Sequence, residues 1–232
     1  MTVVLALVCK DGVVVAADTQ VTDSGRGMSY PAQKLHPLGD AAAWGGSGAR
    51  SVLLELEDVF EASSGAILEA EDIGKALQER TIPVLRYHYE NFIDDVPGEE
   101  TPGTPSAYVL AAGYRDGAPW IVEINPNGMV SRYEDVGFHA VGSGAPMAQQ
   151  AGALLSHIDL VDRPVRHGVV GIVRVLDALR TTSPSVGLEI DVCRITADGA
   201  EHLGEQDIER AREDVARWRE REAAVFDELF ER

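Results

Sequence analysis

The stretch TVVLALVCKDGVVVAAD, Thr2 to Asp18, decides the architecture. Aliphatic and β-branched residues run from Val3 to Ala17 on both sides of a Lys10-Asp11-Gly12 turn. This pattern predicts a hairpin buried in a sheet-centred core. Thr2 stands directly behind Met1 at its front, and Asp18 closes its second strand.

Outward from the hairpin, Asp23 to Gly27 is turn-rich, and Lys34 to Gly46 recovers the apolar character of a second hairpin around Gly39-Asp40. Val52, Leu53, Leu56, Val59 and Phe60 recur at the three-and-four spacing of an amphipathic helix that Ser47 or Ser51 can cap. A second helix is expected over Ala70 to Val96, bent or started at Pro83, and Pro97 to Pro105 has the composition of a solvated loop. Tyr108–Ala112, Trp120–Ile124 and Gly137–Val141 read as three strands of a meander. Helices follow over about Pro146–Ile158 and Pro164–Arg180, then a last strand over Gly187–Thr196. Strands, two helices, strands, two helices and a strand make an α+β order, which a four-layer αββα sandwich satisfies.

The 232 residues fit one domain, residues 1–204, followed by an acidic amphipathic helix over 205–232. In that tail Ile208, Ala211, Val215, Trp218, Val225 and Leu229 form a seam broken by Glu222. The seam suits either packing on its own domain or contact with another subunit. Hydrophobic content of 45% and charged content of 25% are those of a soluble globular chain, and no apolar run reaches the roughly 18 residues of a membrane span. The first residues carry no secretory signal, so a cytoplasmic address is expected. A formal charge of −18 without a basic patch argues against nucleic acid as partner. Cys9 and Cys193 lie in apolar strands away from any histidine cluster and read as buried, reduced thiols rather than metal ligands.

Chemistry enters with Thr2. Removal of Met1 would expose a hydroxyl and a free α-amine on neighbouring carbons of one residue, and the amine can serve the hydroxyl as base. An α-amine is substantially neutral near pH 7 to 8, and a nearby ammonium lowers its pKa further. Lys34, one of three lysines, can supply that charge. Asp18, a lone carboxylate beside an apolar core, needs a partner, and pairing it with Lys34 satisfies both.

These residues resemble the proteasome β-subunit family of N-terminal nucleophile hydrolases. The match lies in Thr2-Val3-Val4, in Lys10 through Asp18, in Lys34-Leu35, in Gly45-Gly46-Ser47-Gly48, in Val141-Gly142-Ser143-Gly144-Ala145-Pro146 and in Ile190-Asp191-Val192. The resemblance implies the αββα fold of that hydrolase type, assembly into stacked homo-oligomeric rings, and hydrolysis of peptide or unfolded protein substrates by a processed threonine. It implies Thr2 as nucleophile and amine base, Asp18 and Lys34 as the groups that tune it, Ser143 as hydrogen-bond partner of the terminus, and the Gly46 amide as oxyanion donor. Thr22 and Gly48 would hold the substrate as an added strand. Val21, Ala32 and Trp44 would line the pocket beside the cleaved bond, with Trp44 leaving room for a small side chain. No metal or organic cofactor is expected, and whether an ATPase feeds the ring is not written in the chain.

The chain departs from the family before its last strand, where an aspartate and a serine are usual and Arg180 to Gly187 contains no aspartate, so that Ser183 or Ser185 would hydrogen-bond the terminus instead. Asp18-Thr19-Gln20 is nearer the HslV-type bacterial proteases. Two other functions compete with a threonine peptidase: a non-catalytic ring or scaffold subunit, and an amidohydrolase of small amides.

Overall fold

The computed structural model describes residues 2–23, 28–93, 104–183, 186–187 and 189–230. Its first two strands are β1 (Val4–Cys9) and β2 (Gly12–Asp18), joined at Lys10-Asp11, and every residue of both is buried. They are central strands, and nonpolar side chains on both faces are what that position demands. β1 also pairs with β10 (Phe138–Val141), and β2 with β11 (Ile190–Thr196), whose other edge carries β12 (Gly199–His202). All these pairings are antiparallel.

The second sheet runs in chain order through β5 (Leu35–Leu38), β6 (Ala42–Gly48), β7 (Ala107–Arg115), β8 (Ala118–Ile124) and β9 (Val130–Arg132). Helices α1 (Arg50–Leu68) and α2 (Ile73–Glu90) cover it through Val52, Leu56, Phe60 and Leu77. Helices α3 (Ala145–Leu154) and α4 (Val165–Thr182) cover the first sheet. Between the sheets lie Val4, Ala6, Val8, Val13, Val15 and Ala17, facing Leu35, Leu110 and Ile121. Alternate residues of β1 and β2 therefore serve two cores, one under the helices and one between the sheets. The architecture is the expected αββα sandwich.

Several local expectations are corrected. Gly137–Val141 does not extend the meander, because its strand crosses to the other sheet and pairs with β1; β9 takes the third place instead. Neither Ser47 nor Ser51 caps α1, whose N-cap is Ala49 without a side-chain bond. α2 starts well before Pro83, at Asp72, whose carboxylate accepts from the Lys75 amide at 3.0 Å. Pro83 lies inside that helix. A short hairpin, β3 (Gln20–Asp23) with the exposed β4 (Met28–Pro31), and the strand β12 had no counterpart in the expected order. The expected turn at residues 24–27 and most of the loop ahead of Pro105 fall outside the described residues.

The tail forms α5 (Glu205–Glu228). Its first half packs on the α4 side of the sandwich, where Ile208, Ala211 and Val215 join the core. Arg174 ties the two helices by a bidentate pair with Glu222 and lies 3.8 Å from the Trp218 ring centroid. Beyond that pair Val225, Phe226 and Leu229 are exposed. Among the described residues no helix is long and apolar enough to cross a membrane. Both thiols are buried and free, and burial pushes each up to about 12, so they stay protonated at neutral pH.

Candidate active site

Strand β2 ends at the edge of the inter-sheet core, and its last residue, Asp18, is fully buried. One of its carboxylate oxygens accepts from the Val3 amide at 2.9 Å and from Lys34 Nζ at 2.8 Å. The other accepts from Lys34 Nζ at 2.9 Å and from the Gln20 amide at 3.2 Å. Lys34 donates a further bond to the Gln20 carbonyl, so its three ammonium protons have defined acceptors. Lys34 is itself only 7% exposed, a depth at which an unpaired ammonium would cost several kcal/mol. Burial moves it below the ordinary lysine pKa of 10.5, with the charge of Asp18 opposing that shift.

The same carboxylate oxygen thus fixes both the residue after Thr2 and the ammonium. From the other side, the Thr2 nitrogen donates to Ser143 Oγ at 3.0 Å, and the Thr2 carbonyl accepts from the Gly144 amide at 3.0 Å. The loop can approach so closely because Gly142 has φ of +97° and any side chain there would run into the Thr2 carbonyl. Met1 lies outside the described residues.

Thr2, Lys34, Gly46 and Ser143 open together onto a cleft of about 580 Å³. Val21, Ala32, Trp44 and Gly48 line it as well. Asp18 lies beneath and reaches the cleft through its bonds. Thr22 pairs with Ser29 in the β3–β4 hairpin, and its side chain is outside the described residues. Gly46 has no room for a side chain, because Leu53 of α1 occupies that place. Gly48 has φ of +139°, backbone that glycine alone adopts comfortably. Trp44, 1% exposed, stacks on His36 with centroids 4.9 Å apart and meets Phe60 edge-on at 5.0 Å. Ser183 is buried at the end of α4, and Ser185 is outside the described residues.

The sequence reading missed one wall of the cleft: Tyr30 of β4, His36 of β5, and Arg50, Leu53, Leu54 and Glu57 of α1. The four α1 residues fall at i, i+3, i+4 and i+7, a stripe distinct from the buried stripe of Val52, Leu56 and Phe60. That second stripe was the available signal. Among the described residues, no three histidine, cysteine, aspartate or glutamate side chains are gathered as metal ligands.

A sequence model of the family "Proteasome subunit" matches residues 2–66, the segment that carries Thr2, Asp18, Lys34 and Gly46. Proteasome subunit beta 1 of Streptomyces avermitilis is 26% identical over 214 residues, covering 90% of this chain and 74% of its own. The chain is thus similar to proteasome β subunits, in its first 66 residues by the family model and over most of its length by this relative. Among solved structures, the Gly-1 mutant of Anbu from Hyphomicrobium sp. strain MC1 superposes with a TM-score of 0.74 at 16% identity, over 100% of both chains. Anbu (ancestral beta-subunit) from Yersinia bercovieri gives 0.74 at 15% identity, over 97% of this chain and 96% of its own. At those identities the two structures speak for the fold alone.

Proposed function

We propose that this chain is a threonine endopeptidase of the proteasome β-subunit family, whose nucleophile is Thr2 after removal of Met1. The observation that supports it is the shared Asp18 oxygen, which holds the Val3 amide and the Lys34 ammonium side by side beneath the cleft. A scaffold has no need of a buried ammonium tied through one carboxylate to the residue that follows Thr2.

In this reading the free α-amine of Thr2 takes the hydroxyl proton as the oxygen attacks the peptide carbonyl carbon. The Gly46 amide receives the negative charge that develops on the carbonyl oxygen. The carbon–nitrogen bond then breaks, the departing amine takes the proton from the α-ammonium, and an ester remains on Thr2. Water, deprotonated by the same amine, hydrolyses the ester. Lys34 keeps the amine neutral by charge repulsion and favours the negative oxygen. Ser143 holds the amine in place. The reading extends to a homo-oligomeric cytoplasmic ring that admits unfolded peptide, the kind of assembly the family generally forms.

Incubation with a peptide epoxyketone, followed by intact mass measurement and peptide mapping, tests it. The expected product is one adduct per chain, on Thr2, because this electrophile joins an amine and a hydroxyl of the same residue. An unmodified chain, or an adduct elsewhere, would sink the assignment.

The pH dependence follows from the site. Activity should rise on the acid side as the α-amine loses its proton, at or below the ordinary value of about 7.7–8.0. It should fall on the alkaline side as Lys34 loses its own, and because burial lowers the Lys34 pKa, that limb lies below 10.5. The kcat/KM profile of peptide amide hydrolysis measures both limbs. An activity plateau persisting past 10.5 would exclude Lys34 as the required cation.

A further inference from the structure

The α1 stripe that faces the cleft begins with Arg50, continues through Leu53 and Leu54, and ends at Glu57. Arg50 and Glu57 are seven positions apart on the helix, about 10 Å along the axis. The two charges therefore stand at opposite ends of an apolar wall. Arg50 lies 5.8 Å from the Tyr30 ring centroid and has no carboxylate partner among the described residues. Glu57 is different, because His36 Nδ1 is 3.0 Å from its Oε1. His36 is held in turn by its stack on Trp44. The second oxygen of Glu57 has no hydrogen-bond partner among the described residues, and the side chain is 40% exposed.

The charge balance at this end is negative. Burial keeps the His36 imidazole below its ordinary pKa of 6.5, an effect that Glu57 and Asp191 oppose and His202 reinforces. At neutral pH the ring is uncharged and donates its Nδ1 proton. Lys34 does not offset Glu57, since Asp18 already engages it at 2.8 and 2.9 Å.

We propose that Glu57, fixed by His36 at the end of the cleft away from Arg50, selects substrates with a lysine or arginine side chain on the acyl side of the cleaved bond. The methylenes of such a side chain lie along Leu53 and Leu54 while its charged head reaches the open carboxylate oxygen. A cleft of about 580 Å³ has room for it despite the tryptophan. A substrate glutamate would find only repulsion there.

The proposal rests on the peptidase reading of the same cleft, and the test separates the two. Three peptide epoxyketones, identical except for lysine, leucine or glutamate beside the electrophile, are compared by the rate at which each modifies Thr2. The lysine compound should react about tenfold faster than the leucine compound, a ratio worth about 1.4 kcal/mol. Glu57→Gln should bring that ratio close to one, and Glu57→Lys should turn preference toward glutamate. Equal rates for lysine and leucine, a ratio untouched by Glu57→Gln, or a wild-type preference for glutamate would overturn the proposal. If none of the three modifies Thr2, the peptidase reading fails by itself. Fluorescence polarisation with the Thr2→Ala protein and labelled peptides ending in Ala-Ala-Lys or Ala-Ala-Leu then decides the selectivity. Tighter binding of the lysine peptide that Glu57→Gln removes supports it, and equal affinity refutes it.

Discussion

Thr2→Ala will abolish cleavage of small peptide amides, with a loss of at least a thousandfold in kcat, while the protein keeps its wild-type size in solution. The alanine keeps the α-amine, its contact with Ser143 and the Val3 bond to Asp18, all of which are backbone interactions at this residue or the next. What disappears is the oxygen that bonds to the substrate carbon, and no neighbouring group can replace it at the same distance. Thr2→Ser, which restores an oxygen beside the amine, should recover a measurable fraction of the rate. Both variants are assayed with a fluorogenic peptide under saturating conditions, beside size-exclusion chromatography. Turnover by Thr2→Ala within tenfold of wild type would remove Thr2 from the chemistry.

Lys34→Ala should damage both rate and fold. Asp18 is fully buried, and its carboxylate would lose the ammonium that binds both of its oxygens, retaining only the Val3 and Gln20 amides. Breaking a buried pair by removing one partner costs about 3–5 kcal/mol. Since the Val3 and Gln20 amides remain, the lower end, about 3 kcal/mol, is expected near pH 7. The rate should fall by a hundredfold or more, because the α-amine would hold its proton at higher pH and the negative transition-state oxygen would lose a nearby positive charge. The alkaline limb of the pH profile should disappear with the lysine. Chemical denaturation and kcat/KM across pH measure both effects. A loss under 1 kcal/mol together with near-normal activity would show that the lysine does nothing for Thr2.

The hairpin from Val4 to Asp18 was legible because its residues are buried on both faces, so hydrophobic content alone marks it. The pairing of Asp18 with Lys34 was legible for the complementary reason: a carboxylate at the end of such a strand has few ways to be satisfied. The β3–β4 hairpin was not, since Met28, Ser29, Tyr30 and Pro31 are all exposed and leave no burial pattern. The switch of Phe138–Val141 to the other sheet was equally hidden. Its apolar run says that it is a strand, and nothing local says which edge it joins. His36 and Glu57 meet only because α1 packs over β5, a tertiary fact beyond any window of sequence. The Ser143 bond to Thr2 spans 141 positions and came from family likeness, not from spacing.

Two residues after Thr2 begins β1, a strand with a hydrogen-bonded neighbour along each side, β2 on one and β10 on the other. Chain ends usually fray at little cost, whereas here any opening that passes Val4 must unzip the middle of a sheet. The position of Val4 is therefore tied to global unfolding, and Thr2 stays within two residues of that anchor for as long as the sheet is intact.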